Sequence, residues 1–134
     1  MEDMMRFLAD ASADQRKAMV KSRIEMFLTA DETNRRNGMK EMITALSKLN
    51  PDQRKRLVGT RSLVVAELPP DKRDTIMASR VALTKELPTE VHGADMQAVM
   101  ETISEIPESL RQTFMDSMKR AMAAAGMQLP TQGT

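Results

Sequence analysis

The feature that most constrains this chain is a 19-residue period. Basic residues recur at Arg16, Arg35, Arg54, Arg73 and Arg111, His92 takes the one remaining register position, and no insertion interrupts the spacing. A unit of this length holds one short helix and its link, and cannot bury an apolar face without neighbours. Five residues before each anchor stand Ala11, Ala30, Leu49, Leu68, Leu87 and Ile106; four before stand Ser12, Asp31, Asn50, Pro69, Pro88 and Pro107. Ser12, Asp31 and Asn50 are good N-caps because their side-chain oxygens accept from first-turn amides that have no partner within the helix. Pro51 and Pro70 suit the first helical position, where no amide hydrogen bond is lost. Asp14, Asp52, Asp71 and Glu90 complement the positive end of each helix dipole. Each unit thus predicts a helix of about 15 residues, roughly 22 Å long, followed by a link of about four residues.

On a helical wheel, positions 3, 4, 7, 8, 11 and 14 after each anchor share one broad sector, giving every helix an apolar stripe and a polar back. Position 4 reads Val20, Met39, Val58, Met77, Met96 and Met115; position 11 reads Phe27, Leu46, Val65, Thr84, Ile103 and Met122. Such stripes can be buried only against each other. The expected fold is all-α: about six short antiparallel helices, arranged as a solenoid-like array or a compact helical bundle. Met4, Met5 and Leu8 fit the end of a further unit, so residues 1–11 are expected to form a truncated N-terminal capping helix, 12–125 the six-repeat domain and 126–134 a flexible tail. Gly126 suits a helix C-terminal cap. Gly38 and Gly93 weaken their first turns, and Asp95 stands where other units carry an apolar residue. The fifth unit's helix is therefore expected to begin late, near Asp95, after a loose loop over Thr89–Ala94.

Composition removes most chemistry. There is no Cys, one His, no Trp, no Tyr and three Phe, so disulfides, thiolate nucleophiles and His or Cys metal clusters are excluded and base stacking is disfavoured. No phosphate loop, calcium loop or nucleophile motif is present, and His92 lacks a convincing nucleophile and orienting partner. The expectation is a protein without catalytic activity, metal, cofactor or small-molecule substrate. No apolar run is long enough for a membrane span, and the Met-Glu-Asp start differs from a secretory signal. A soluble protein of the cell interior or an organelle lumen is expected, with the cytoplasm preferred.

Charge and methionine supply the candidate surfaces. Formal net charge is +1, yet Arg16–Arg61 carries twelve basic and five acidic residues, while Glu86–Asp116 carries seven acidic residues and only Arg111. In the basic half the candidate partner-binding residues are the anchors Arg16, Arg35, Arg54 and Arg73, the stripe set seven residues later, Arg23, Arg61 and Arg80, and Arg36. In the acidic half they are Met96, Met100, Met115 and Met118 with Glu101, Glu105 and Glu108. Flexible methionine surfaces in acidic surroundings can accept varied basic amphipathic helices. The anchor arginines have a structural reading as well: each is the fourth helical residue, its stem packs on the residue before the N-cap, and its guanidinium reaches the free carbonyls of the preceding helix. On that reading Met at Arg54 or Arg73 should cost little, because the stem is kept. The expected function is a non-catalytic interaction or assembly module, a scaffold, adaptor or peripheral subunit with a protein partner or self-association; nucleic-acid binding through the arginine ladder is the alternative.

Overall fold

The computed structural model describes residues 1–127, so the tail expected over 126–134 lies outside them from residue 128 onward. Seven α-helices follow in order among the described residues: α1 (Glu2–Asp10), α2 (Ala13–Thr29), α3 (Glu32–Ser47), α4 (Pro51–Ala66), α5 (Pro70–Leu83), α6 (Thr89–Thr102) and α7 (Glu108–Ala124). A 3-10 turn, Ile103–Glu105, joins the last two. Helices α2 to α7 fall in register with the 19-residue period. Ser12, Asp31 and Asn50 accept from the amides of Gln15, Asn34 and Gln53 at 3.2, 2.8 and 2.8 Å, and Asn50 completes a reciprocal capping box with Gln53. At the other end Gly126, at φ 73°, closes α7: its amide and that of Met127 donate to Ala123 and Met122, a left-handed cap that glycine enters without steric cost.

The anchor arginines fasten the links. In all five units that carry one, the guanidinium donates to the carbonyl five residues before it: Arg16 to Ala11, Arg35 to Ala30, Arg54 to Leu49, Arg73 to Leu68 and Arg111 to Ile106, at 2.8 to 3.2 Å. Three also reach carbonyls at the end of the preceding segment, Arg16 to Ala9, Arg54 to Leu46 and Ser47, and Arg111 to Ile103 and Ser104. These are groups that a helix terminus leaves without internal partners. The residue accepting the bond is itself an apolar plug in the later units: Leu49 and Ile106 are buried, and Leu68 packs against the core.

The packing extends beyond successive helices. Helix α2 lies against α4, α3 against α5, α4 against α6 and α5 against α7; third neighbours also meet, and no helices four apart approach closely among the described residues. Alternate helices pack more closely than successive ones because each apolar stripe is broad enough to serve several neighbours. Helix α4 becomes the centre, and α1 seals one end with Met5, Leu8 and Ala9 buried.

One local expectation is corrected. Helix α6 begins at Thr89, directly after Pro88, not near Asp95. The His92 amide donates to the Pro88 carbonyl at 3.0 Å, so the first turn is regular across Gly93. Asp95 is drawn inward by two arginines, which holds this turn against the array.

Two pairs of substitutions test the fold. Arg54→Met should lose about 2 kcal/mol in urea unfolding, because three carbonyls lose a charged donor although the stem remains. Arg73→Met should lose under about 1 kcal/mol, because Arg73 makes one such bond and its Nε is buried without a partner. Equal losses would refute the capping account. Gly93→Ala meets open space within a helix and should gain about 0.5 to 1 kcal/mol. Gly38→Ala places a β-carbon 2.7 Å from Cε1 of buried Phe27 and should lose about 1 to 3 kcal/mol instead.

Candidate functional site

The two arginine sets separate in space. The anchors turn toward link carbonyls, whereas the set seven residues later, Arg23, Arg61 and Arg80, lines cavities between the helices. Two helical turns along the stripe set this difference: the anchor sits at the helix start beside the link, and the later residue sits two turns further along, facing the neighbours.

The larger cavity has a volume of about 770 Å³ and lies between α3, α5, α6 and α7, with α4 and one residue of α2 behind it. Nine of the 14 methionines line it: Met39, Met42, Met77, Met96, Met100, Met115, Met118, Met122 and Met127. Ile43, Ile76, Val99 and Phe114 complete an apolar surface. A size of roughly 300 to 1,000 Å³, apolar walls and a few convergent polar groups are the usual properties of a binding site. The four methionines expected from sequence, Met96, Met100, Met115 and Met118, are brought together here. Glu101, Glu105 and Glu108 are not: all three are exposed, and Glu101 pairs with Lys55 at 3.0 Å across the α4–α6 contact. Arg36 pairs with Glu32 at 2.6 Å, away from the cavity.

The polar wall is a cluster that straddles α4, α5 and α6. Asp95, 3% exposed, accepts a two-pronged pair of bonds from Arg61 at 2.9 and 3.1 Å and a third from Arg80 Nε at 3.1 Å. Arg80 Nη2 donates to His92 Nδ1 at 2.8 Å. An arginine has no acceptor, so this bond requires Nδ1 unprotonated. Charges reinforce that state: burial and then the Arg80 charge push the His92 imidazole below its ordinary value of 6.5. For Asp95, burial alone would raise the carboxyl, but Arg61 and Arg80 outweigh it and hold the group below the ordinary 3.8. Burial, against the pull of Asp95, lowers Arg80 from the ordinary arginine range.

Asp95 and His92 are the residues of this candidate site that sequence reasoning undervalued. The signal was present: an acid on an apolar stripe, in the one unit lacking an anchor arginine, in a chain whose other stripes carry unmatched arginines. Periodicity along one helix could not show that those arginines come from α4 and α5.

A smaller cavity of about 370 Å³ adjoins this one, sharing Met42 and Arg61 and lined further by Met5, Leu8, Met19, Met26 and Arg23. Of the three phenylalanines, Phe27 and Phe114 are buried and Phe7 is exposed on α1. Among the described residues no helix is long and apolar enough to cross a membrane. Comparison with models of protein families, with curated proteins and with solved structures finds no match to this chain.

The cluster has a pH signature. Because folding lowers the affinity of His92 for its proton, its contribution to stability is intact above the ordinary value of 6.5 and is lost as pH falls below it. The contribution of Asp95 persists above 3.8 and is lost only in stronger acid. The stability advantage of wild type over His92→Gln should therefore shrink between about pH 7.5 and 5.5, since glutamine can accept from Arg80 but does not titrate. A pH-independent difference in urea midpoints would contradict this account.

Proposed function

We propose that this chain is a non-catalytic interaction module, an adaptor or peripheral subunit whose methionine-lined cavity receives the apolar face of a helical segment from a partner protein. The observation that carries the reading is the gathering of nine methionines from four helices and the C-terminal cap around one open apolar cavity. Methionine side chains are unbranched and polarizable, so a wall built from them adapts to different side chains without a fixed complementary shape. Exposed Met19, Met26 and Met100 extend the apolar surface outward from the cavities. A helix laid on such a surface inserts side chains spaced three and four residues apart.

The arginine ladder gives the nucleic-acid alternative no comparable support. Anchors Arg16, Arg35, Arg54 and Arg73 bond backbone carbonyls, which occupies donors that phosphates would need. Several neighbouring cations are paired as well, Lys17 with Glu67, Lys55 with Glu101 and Arg56 with Asp10.

The test is a titration of methionine-methyl-labelled protein with an uncharged, leucine-striped helical peptide, followed by NMR. Saturable shifts at Met42, Met77, Met96, Met115 and Met118 are expected, with Met1 unmoved. Absence of shifts at these cavity methionines would overturn the proposal.

A further inference from the structure

The cavity walls carry a charge opposite to that of the acidic segment Glu86–Asp116, which supplies Met96, Met100 and Met115 to them. Three arginines, Arg23, Arg61 and Arg80, line the two adjoining cavities, and Asp95 is the one acid that does so; His92 is held neutral. The formal charge on this lining is therefore +2. Both oxygens of Asp95 are already engaged by Arg61 and Arg80. Among the described residues Arg23 has only the Met4 sulfur, at 3.6 Å, as a hydrogen-bond partner. The Oγ of Ser62, a residue 2% exposed that lines the larger cavity, is buried without a partner. Excess positive charge and an orphaned hydroxyl within apolar walls are each unfavourable until a matching group arrives.

Shape and position sharpen the requirement. The cavities share Met42 and Arg61, so Arg61 sits at their junction, with Arg80 in the larger and Arg23 in the smaller. Two neighbouring spaces of about 770 and 370 Å³, with Met42 and Arg61 in the wall of both, together exceed what one small ligand of ordinary size fills, and suit an extended occupant with several side chains.

Resting on the reading of this groove as a helix-docking site, we infer that the partner helix is acidic within its apolar stripe: a Glu or Asp at the centre of the buried face, flanked by aliphatic residues, meets the row Arg23, Arg61 and Arg80. The flanking side chains enter the two methionine-lined spaces. A basic helix, the partner that the acidic C-terminal half suggests, would add cations to a wall already in excess. Guanidinium–carboxylate bonds in partly desolvated surroundings supply selectivity between partners as well as affinity.

The experiment uses fluorescence anisotropy with the full chain and three labelled helical peptides, identical except for Glu, Gln or Lys at the centre of a Leu/Met stripe. The Glu peptide should bind about tenfold or more tightly than the Gln peptide, and the Lys peptide most weakly. Arg23→Gln, which removes no ion pair of the folded chain, should reduce the Glu preference severalfold. Ser62→Ala, which removes a hydroxyl without partners, should leave the fold intact by circular dichroism and also reduce that preference. Equal binding of Glu and Gln peptides, or preference for Lys, overturns the acidic-partner inference while leaving helix docking standing. Failure of all three peptides to bind overturns the docking reading itself, and this inference with it.

Discussion

The bond from an anchor arginine to the carbonyl five residues earlier is the interaction on which the architecture depends. A helix of 14 to 17 residues is too short to be stable alone, so each must be held at a defined angle to its neighbours before its stripe is useful. The link is the vulnerable point, because it leaves carbonyls that no helix bonds. One guanidinium satisfies the link carbonyl and, in three units, the end of the preceding segment too. A lysine could not replace it, since its single ammonium lacks the planar fork that reaches several fixed carbonyls at once.

The sole departure from this device coincides with the cavity. At the start of α6 the anchor is His92, which accepts a bond from Arg80 and caps no link carbonyl among the described residues. The α5–α6 connection is held differently, by Arg80 reaching from the last turn of α5 to Asp95 and His92. Arg61 ties the same carboxylate to α4. A backbone cap shared by the other units is thus exchanged for a side-chain cluster, which forms the polar wall of an otherwise apolar space. Departures from an internally consistent pattern are where function is expected, since nothing in the packing of the array requires them.

Much of this was legible in the sequence, and the rest was not for a definite reason. Ser12, Asp31, Asn50, Pro51 and Pro70 announce helix starts through local chemistry, and the stripe follows from spacing alone. The structural role of Arg54 was legible too, since a fourth helical residue lies close to its own link. That three carbonyls share its guanidinium, which makes methionine a poor substitute, was not, because the number of carbonyls within reach depends on how the preceding helix ends. The late start expected for α6 failed for a similar reason: Gly93 and Asp95 read as breakers by local preference, while the ion pairs that hold the first turn come from α4 and α5. Nor could the period alone show that Arg23, Arg61 and Arg80 would share a groove from which Glu101, Glu105 and Glu108 are absent, since that requires the packing of alternate helices.

The groove also lacks a purely structural rationale. An open apolar cavity of about 770 Å³ leaves its methionine and aliphatic walls facing solvent where close packing would cover them, which forgoes hydrophobic stabilisation. A nearly buried carboxylate bridging two guanidiniums is commonly no more stable than an apolar replacement of the same volume. Ser62 adds a buried hydroxyl with no partner. Each feature works against the isolated fold, and all three adjoin one space among flexible methionines. The caps and plugs elsewhere in the array supply the stability that lets such a space persist. A sequence under selection only for folding would close it with branched aliphatic residues, so an occupant that restores the missing contacts is the simplest physical reason for it to remain open.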